Sequence, residues 1–367
     1  MNWKIKFVVL AIGLLFGGAA LFGWHSSNAQ QMPPNPAGSK SAATKPTPPP
    51  SPTPEVLDET DDEPIRIETE AVNVLFTAQD KNRRLLTSLK QQDVRILENG
   101  QPQEITAFSR QVDLPLSLAI LIDTSASQER TLPEEKDAAK SFIEAVIRPS
   151  KDEVAVVSFT GETTLEQGMT NSVSRLRRAV DRVEFVPPSG YVGGGVIVGT
   201  PPISGKNQSA AGSTAIWDAI WVTSEEVLGT SPERTRRAII LLSDGYNTYG
   251  MKKMEEAVQA ALKAEAIIYS IGIGDNYYGG VDEGALKKLS ERTGGRAFFP
   301  RDEAELRQAF RLIQDEMRSQ YLIAYEPTDQ KQDGSYRTIE IQLVNTELQK
   351  QKVKLTHRQG YFAKTKK

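Results

Sequence analysis

The chain has 367 residues, a formal net charge of −3 and 39% hydrophobic residues, so it is long enough for more than one globular domain. The sequence has no excess of basic residues that would indicate a nucleic-acid partner. The absence of cysteine excludes disulfides, thiolate metal sites and cysteine nucleophiles. The only histidines are His25 and His357, which disfavours a histidine-dependent triad or a histidine metal site.

The N-terminus has the pattern of an export signal. Lys4 and Lys6 precede an apolar run over residues 7–24, and small residues at 27 and 29 fit a cleavage point after Ala29. Residues 1–29 are therefore predicted to be a signal peptide. Because the apolar run approaches membrane-spanning length, an uncleaved membrane anchor through residues 7–24 is the alternative. Both predict an exported protein that is periplasmic, cell-envelope-associated or secreted.

The segment 30–64 is rich in proline and ends in an acidic run, which predicts an extended, disordered linker. A small β unit follows over residues 65–112. Alternating β-prone residues predict strands over 67–78, 94–98 and 103–108, and Asn99-Gly100 is a strong signal for a hairpin turn. This unit is too small to bury both faces of its strands alone.

Buried strands then alternate with amphipathic helices over residues 113–320, which predicts an α/β domain with a doubly wound, mostly parallel sheet. The predicted strands are 116–122, 154–159, 238–242, 267–274 and 297–299, with an edge strand at 163–169. The predicted helices are 133–147, 173–183, 214–228, 254–265, 283–293 and 303–319. In the helix 214–228, the residues predicted to face inward are Ile216, Trp217, Ile220 and Val227.

The last part of the chain, 321–363, returns to β structure, with predicted strands at 321–325, 336–344 and 353–357. Each flank alone leaves an apolar face exposed, so the two flanks are predicted to combine into one small, β-sandwich-like domain. The α/β domain would then be an insertion between the two halves of that domain.

Three polar side chains leave the first α/β strand at alternating positions: Asp123, Ser125 and Ser127. In extended chain they point to one side, where a carboxylate and two hydroxyls suit a hard cation such as Mg²⁺. Asp244 ends another apolar strand, and Thr214 opens a helix between the two. Ligands of doubly wound sheets bind at the carboxyl ends of the strands, so we expect all five side chains at one edge.

These motifs, Asp-Thr-Ser-Ala-Ser, Gly-Ser-Thr-Ala and Leu-Leu-Ser-Asp-Gly in that order, resemble the von Willebrand factor A domain with an intact metal-ion-dependent adhesion site. The resemblance covers about residues 112–320. It implies that Ser125, Ser127 and Thr214 offer hydroxyl oxygens to Mg²⁺ or Mn²⁺, and that Asp123 and Asp244 act directly or through water. It also implies a non-enzymatic adhesion module that binds an Asp or Glu of a protein partner.

The flanks extend the resemblance to the whole chain. The stretches LLTSLKQQDVRILENGQPQEITAF before the α/β domain and QYLIAYEP, DGSYRTIEIQL and HRQGYFA after it are similar to the VWFA-related proteins described mainly from Acidobacteria. This looser similarity implies little about function.

A long segment rich in glycine, proline and serine spans residues 187–213, directly before Thr214. Loops of this length are uncommon in compact domains and often functional. We expect it at the metal face as a partner-binding loop, with the contact residues Gly193, Gly194, Gly195, Lys206 and Asn207. The alternative, to which the sequence gives equal support, is that the segment is a tolerated surface insertion.

Two other functions are compatible with the sequence. One is a structural envelope protein that needs no metal, and the other, less favoured, is a Mg²⁺-dependent hydrolase built around Asp123. A further hypothesis follows from connectivity, because the last helix, 303–319, runs directly into the strand at Tyr321. A shift of this helix on metal or partner binding would pull on the β domain.

Overall fold

The computed structural model describes residues 71–111, 114–187, 191–193, 196–197, 212–232, 235–274 and 279–365. The predicted signal peptide, membrane anchor and linker lie outside the described residues. Within the described ranges, no helix combines the length and the apolar character that crossing a membrane requires.

The strands are β1 (Val72–Gln79), β2 (Val94–Glu98), β3 (Gln101–Gln103), β4 (Ile105–Gln111), β5 (Leu116–Asp123), β6 (Glu153–Phe159), β7 (Thr163–Thr170), β8 (Tyr191–Gly193), β9 (Val196–Ile197), β10 (Arg236–Ser243), β11 (Ala266–Gly272), β12 (Ala297–Phe298), β13 (Gln320–Tyr325), β14 (Tyr336–Leu343), β15 (Lys354–His357) and β16 (Gly360–Phe362). The helices are α1 (Leu132–Val146), α2 (Val173–Arg182), α3 (Ile216–Val222), α4 (Met254–Lys263), α5 (Glu283–Thr293), α6 (Glu303–Arg318) and α7 (Thr346–Lys350).

The central sheet has the strand order β12-β11-β10-β5-β6-β7. All neighbouring strands in it are parallel except β7, which pairs antiparallel with β6 at the edge. The chain proceeds from β5 to one side of the sheet and later returns to β10 on the other side of β5. The sequence prediction of a doubly wound, mostly parallel sheet is therefore confirmed.

Two apolar layers explain why β5 carries hydrophobic residues at successive positions. Leu118, Ile120 and Ile122 point into a core formed with α1, α2 and α6, whereas Ala119 and Leu121 point into a second core formed with α3, α4 and α5. Successive side chains of a strand face opposite sides of a sheet, so a strand covered by helices on both faces needs apolar residues throughout.

The flanking segments form two four-stranded sheets that combine residues from before and after the α/β domain. The first flank sheet has the order β15-β1-β13-β4, and the second has the order β16-β14-β2-β3. Their shared core includes Val74 and Phe76 from the first flank and Tyr321, Ile323 and Ile341 from the second. The predicted fold class, an α/β domain inserted in a sandwich-like β domain, is thus confirmed. The domain boundaries given above remain predictions.

The sequence prediction was wrong about residues 103–108, which do not form one strand. The chain ends β3 at Gln103 and starts β4 at Ile105, and the two strands pair in different sheets. Two short elements, α7 and β16, were also missed. The Asn99-Gly100 turn is present, with φ values of 48° and 78° that suit a two-residue hairpin.

The predicted helix 214–228 is interrupted in its geometry. Regular α-helix extends over α3, and residues Thr223–Leu228 continue as a π-helix. The wider π turn rotates the following side chains, so Leu228 is fully buried while Val227, predicted to face inward, is only partly buried. Ile216, Trp217 and Ile220 are buried as predicted.

A polar cluster joins the last helix of the α/β domain to the flank domain. Arg296 forms a salt bridge with the buried Glu316 of α6 and donates a hydrogen bond of 3.0 Å to the Gln79 side chain of β1. Gln79 in turn donates to Glu316 at 2.6 Å. This cluster, together with the direct passage from α6 into β13, connects α6 to the first flank sheet by two independent contacts.

Candidate metal centre

The predicted metal residues lie where the strand order of the central sheet reverses. Asp123 is the last residue of β5, and Asp244 directly follows the last residue of β10. These two strands are adjacent, with Ile122 paired with Leu242. The two carboxylates therefore leave neighbouring strands at the carboxyl edge of the sheet, which is the position where open α/β sheets bind ligands.

Asp123 is completely buried, and its carboxylate is held by two hydrogen bonds. The backbone N–H of Ser125 donates to Oδ1 at 3.0 Å, and the hydroxyl of Ser243 donates to Oδ2 at 2.6 Å. Ser243 was not among the predicted site residues. Its position at the end of the apolar strand β10 was the available signal, because the ends of neighbouring parallel strands meet at one edge of the sheet.

The two serines of the Asp-Thr-Ser-Ala-Ser segment face each other. Their hydroxyl oxygens are 3.2 Å apart, and the Ser127 hydroxyl also forms a hydrogen bond with Asp244. The next residue, Gln128, is fully buried and donates to the backbone oxygen of Ile273 at 3.2 Å. The segment is therefore fixed to the end of β11, and the structure brings Asp123, Ser125, Ser127 and Asp244 together.

Thr214 is joined to this group through the backbone on both sides. Ala126 donates to the backbone oxygen of Gly212 at 3.2 Å, so the segment before Thr214 contacts the serine segment. The backbone N–H of Thr214 donates to the Thr248 hydroxyl at 2.9 Å. Thr214 itself is buried. All five predicted metal residues therefore lie at the same edge of the sheet.

Burial makes the ionised carboxylates unfavourable. Burial and, in smaller part, the charge of Asp244 raise the pKa of Asp123 to about 7, against the hydrogen bonds from Ser125 and Ser243. The pKa of Asp244 is also raised by burial, although its hydrogen bonds with Ser127 and Tyr246 oppose this. The charged group that acts on Asp123 is thus another acid, and a bound cation would relieve both the burial cost and the repulsion.

A third acid, Glu135 of α1, was missed by the sequence prediction. It is completely buried, and neither of its carboxylate oxygens has a hydrogen-bond partner among the described residues. The hydroxyl of Thr131, one turn earlier, donates to Gln128 at 2.8 Å and also lowers the pKa of Glu135, against the larger effect of burial. The signal in the sequence was an acidic residue in helical spacing with the apolar Ala138 and Ala139, on the face of α1 that points to the core.

The donor set fits a hard divalent cation. Two carboxylates and three hydroxyls are oxygen donors, which Mg²⁺ and Mn²⁺ prefer over nitrogen and sulfur ligands. Across the described ranges, no group of three or more His, Asp or Glu side chains is close enough to hold a metal ion. Any ion at this edge would therefore depend on the neutral hydroxyls of Ser125, Ser127 and Thr214 as well as on the two acids.

The predicted partner-binding loop is only partly described. Gly193 ends β8, which pairs with β9 in a short antiparallel hairpin. Part of the predicted loop 187–213 therefore forms regular β structure. Gly194, Gly195, Lys206 and Asn207 lie outside the described residues, and their role stays a prediction.

Several solved structures match this chain at low sequence identity. Proximal thread matrix protein 1 from the mussel byssus matches with 19% identity and a TM-score of 0.44 over 60% of this chain, which spans about half, 51%, of that protein. A structure of the same mussel protein with a zinc-occupied MIDAS motif has 20% identity, a TM-score of 0.44 and coverage of 60% and 49%. BatB from Bacteroides thetaiotaomicron has 17% identity, a TM-score of 0.41 and coverage of 56% and 100%.

No curated protein matches this chain. The family described as the von Willebrand factor type A domain, in contrast, matches in two overlapping ranges, residues 118–247 and residues 203–312. Together these ranges contain all five predicted metal residues and run from β5 into α6. Residues 118–312 of this chain therefore form a von Willebrand factor type A domain.

Proposed function

We propose that this chain is an exported, divalent-metal-dependent protein-binding module. A Mg²⁺ or Mn²⁺ ion held by Asp123, Ser125, Ser127, Thr214 and Asp244 would capture an Asp or Glu side chain of a partner protein. Domains of the von Willebrand factor type A family are commonly metal-dependent protein-interaction modules, and they are generally not enzymes. The identity of the metal, the capture of an acidic residue and the export of the chain belong to the proposal.

One observation carries this proposal. Two buried carboxylates lie with the hydroxyls of Ser125 and Ser127 at the switch point of the sheet, Thr214 lies at the same edge, and the charge acting on Asp123 comes from Asp244 rather than from a cation. Buried carboxylates in a structural role are normally paired with a basic side chain. Their arrangement with neutral hydroxyls instead supports a function in which the positive charge comes from a metal ion.

The same arrangement supports binding over a sealed structural site. Three of the five donors are neutral hydroxyls, so a divalent ion at this site would keep part of its positive charge, above all where an aspartate acts through water. A ligand set with no further acid leaves the ion able to attract an external carboxylate. A contact of that kind is charge-assisted, and at a partly dehydrated edge it contributes on the order of 2 kcal/mol.

The position of His357, the histidine within the described residues, supports a non-enzymatic role. His357 lies in β15 of the first flank sheet, where it contacts Arg358 and accepts a hydrogen bond from the backbone N–H of Ile341 at 3.2 Å. Burial lowers its pKa, so this ring is neutral at physiological pH. The donor atoms at the metal edge are oxygens, and the metal-edge residues described here include no histidine that could act as a general base.

Affinity capture from a cell-envelope extract tests the proposed function. The immobilised chain is expected to retain partner protein in the presence of Mg²⁺ and to release it on addition of EDTA. Ser125→Ala should retain none, because it removes one of the hydroxyl ligands. Ser141→Ala, an exposed serine on α1, is the matched control and should behave like the wild type. Equal capture in EDTA, or by Ser125→Ala, would contradict metal-dependent binding.

The partner-binding loop is tested by deletion. We propose that residues 190–208 contribute to the partner contact, since the chain reaches the serine segment four positions later, where the Gly212 carbonyl accepts a hydrogen bond from Ala126. Deleting 190–208 is expected to weaken capture of the partner while leaving the Mg²⁺-induced rise in melting temperature unchanged. If the affinity for the partner stays the same, the segment is a tolerated insertion.

A further inference from the structure

Exposed apolar side chains are concentrated around the metal edge. In the described part of the chain, the large hydrophobic residues that are exposed are Leu165, Val186, Tyr246, Tyr249, Met251, Tyr336 and Val344. Three of these seven fall within six consecutive positions directly after Asp244, and Val186 lies beside the Asp-Thr-Ser-Ala-Ser segment. We call Val186, Tyr246, Tyr249 and Met251 the rim cluster.

Backbone hydrogen bonds attach members of the rim cluster to the predicted metal residues or to their neighbours. The N–H of Val186 donates to the backbone oxygen of Thr124 at 3.0 Å. The N–H of Tyr246 donates to Oδ1 of Asp244 at 3.0 Å, and the N–H of Tyr249 donates to the backbone oxygen of Thr214 at 3.0 Å. The rim cluster therefore flanks the metal edge on the side of Asp123 and on the side of Asp244.

The loop that carries Tyr249 and Met251 is fixed by hydrogen bonds to helix α3. The first turn of α3 provides the Asp218 carboxylate, which accepts hydrogen bonds from the backbone N–H groups of Met251 and Lys252 at 3.0 to 3.1 Å. Gly250, between Tyr249 and Met251, has a φ of 111°, and a Cβ at this position would lie 2.2 Å from the Asp218 side chain. The conformation thus depends on glycine at this position.

Met251 is the clearest sign that this loop faces a partner. Its side chain is 92% exposed, although the backbone on both sides is fixed by Asp218. A single exposed apolar residue is ordinary, but a group of them on a fixed loop beside a binding edge marks an interaction surface. Tyrosine and methionine are also enriched in protein–protein interfaces, and tyrosine contributes contact area there at low entropic cost.

We infer that the rim cluster binds apolar side chains that flank the acidic residue of the partner. The partner segment would thus carry an Asp or Glu with a bulky hydrophobic residue next to it in sequence. This inference rests on the proposed function and adds the specificity that a metal ion lacks. The ion attracts any carboxylate, including free acetate. Tyr249 and Met251 would contact the apolar side chains next to the carboxylate and so favour a partner that has them.

A peptide comparison tests this inference. Three immobilised peptides are used, Gly-Gly-Leu-Asp-Leu-Gly-Gly, Gly-Gly-Ser-Asp-Ser-Gly-Gly and Gly-Gly-Leu-Asn-Leu-Gly-Gly, and binding of the full chain is measured in Mg²⁺ and in EDTA. The leucine peptide with Asp is expected to bind roughly tenfold more tightly than the serine peptide, because only the former buries apolar area on the rim cluster. The Asn peptide and EDTA should both reduce binding to background.

The variant pair Tyr249→Ser with Met251→Ser separates the rim cluster from the metal. Both side chains are exposed, and the hydrogen bonds that hold the loop are made by backbone atoms, so the variant is expected to fold. It should lose most of the roughly tenfold preference for the leucine peptide and keep the Mg²⁺-induced rise in melting temperature. The control Leu165→Ser with Val344→Ser, exposed residues outside the rim cluster, should keep both properties.

The outcomes distinguish failure of this inference from failure of the proposed function. Mg²⁺-dependent binding of all Asp peptides with equal affinity would overturn the role of the rim cluster and retain carboxylate capture. Binding of the leucine peptide that persists in EDTA and in Ser125→Ala would retain the apolar surface and overturn the metal. Absence of peptide binding in a protein whose melting temperature rises with Mg²⁺ would contradict both.

Discussion

Replacement of Glu135 by glutamine is expected to stabilise the metal-free protein above about pH 8, by about 5 kcal/mol, and to leave its stability unchanged below about pH 4.5. The pKa of Glu135 is raised from 4.5 to about 8, mainly by complete burial and in smaller part by the charges of Asp123 and Asp244. Glutamine has nearly the same shape and carries no charge at any of these pH values.

The sign of this effect follows from proton binding. Between about pH 4.5 and pH 8 the unfolded chain has released the Glu135 proton, while the folded chain still holds it. The folded state binds more protons in this range, so the free energy of unfolding falls as the pH rises. Above about pH 8 both states are ionised and the full difference between Glu135 and glutamine is present.

Urea denaturation of both proteins in EDTA, at a series of pH values from 4 to 9, measures this difference. Glu134→Gln is the matched control, because Glu134 is the preceding residue on the same helix and is exposed. Its stability should follow that of the wild type throughout. Parallel curves for wild type and Glu135→Gln would show that Glu135 finds a counter-charge in the folded protein.

Addition of Mg²⁺ is expected to raise the melting temperature of the wild-type chain. An ion that binds only the folded state stabilises it by about 2.7 kcal/mol at a concentration one hundred times its dissociation constant. For a domain of this size that corresponds to a rise of roughly 5–10 °C. Thermal melts in EDTA and in excess Mg²⁺ or Mn²⁺ provide the measurement.

Variants at the edge assign that rise to the proposed ligands. Ser125→Ala should lose most of the Mg²⁺-induced shift, because the variant lacks a hydroxyl ligand and keeps the backbone N–H that donates to Asp123. Asp123→Asn should lose the shift too, yet melt at a higher temperature than the wild type in EDTA at pH 8, since burial raises the pKa of Asp123 to about 7. The control Ser141→Ala should keep the full shift. Identical melts of wild type in EDTA and Mg²⁺ would favour a structural protein without metal.

The sequence allowed the fold to be predicted because its strongest patterns are local. In the α/β domain, long apolar strands and amphipathic helices alternate, and the helix α5 begins and ends at the predicted residues Glu283 and Thr293. The split between β3 and β4 was missed because it depends on pairing partners far away in the chain. β3 pairs with β2, and β4 with β13, which follows the whole inserted domain.

The candidate site was predictable to the extent that its residues follow strand ends. Asp123 and Asp244 could be placed at one edge because parallel strands end together. Glu135 could not be assigned in the same way, because a charged residue on an inward helical face is also compatible with a register error. Only the packing of α1 against the central sheet shows that this carboxylate is buried beside the two aspartates. The wide turn after Val222 was likewise invisible to a periodicity of 3.6 residues.

The interleaving of the flanks determines how the molecule would carry a mechanical load. β1 and β13 are antiparallel neighbours, with Val72 opposite Tyr325 and Phe76 opposite Tyr321. The chain enters β1 at Val72, whereas the α/β domain is attached at the opposite end of this pair, where α6 passes into β13 at Gln320. A pull between the N-terminal end of β1 and a captured partner would therefore act along both strands in opposite directions. Their hydrogen bonds lie across the strands and would be sheared together, a geometry that resists force far better than peeling them apart one by one.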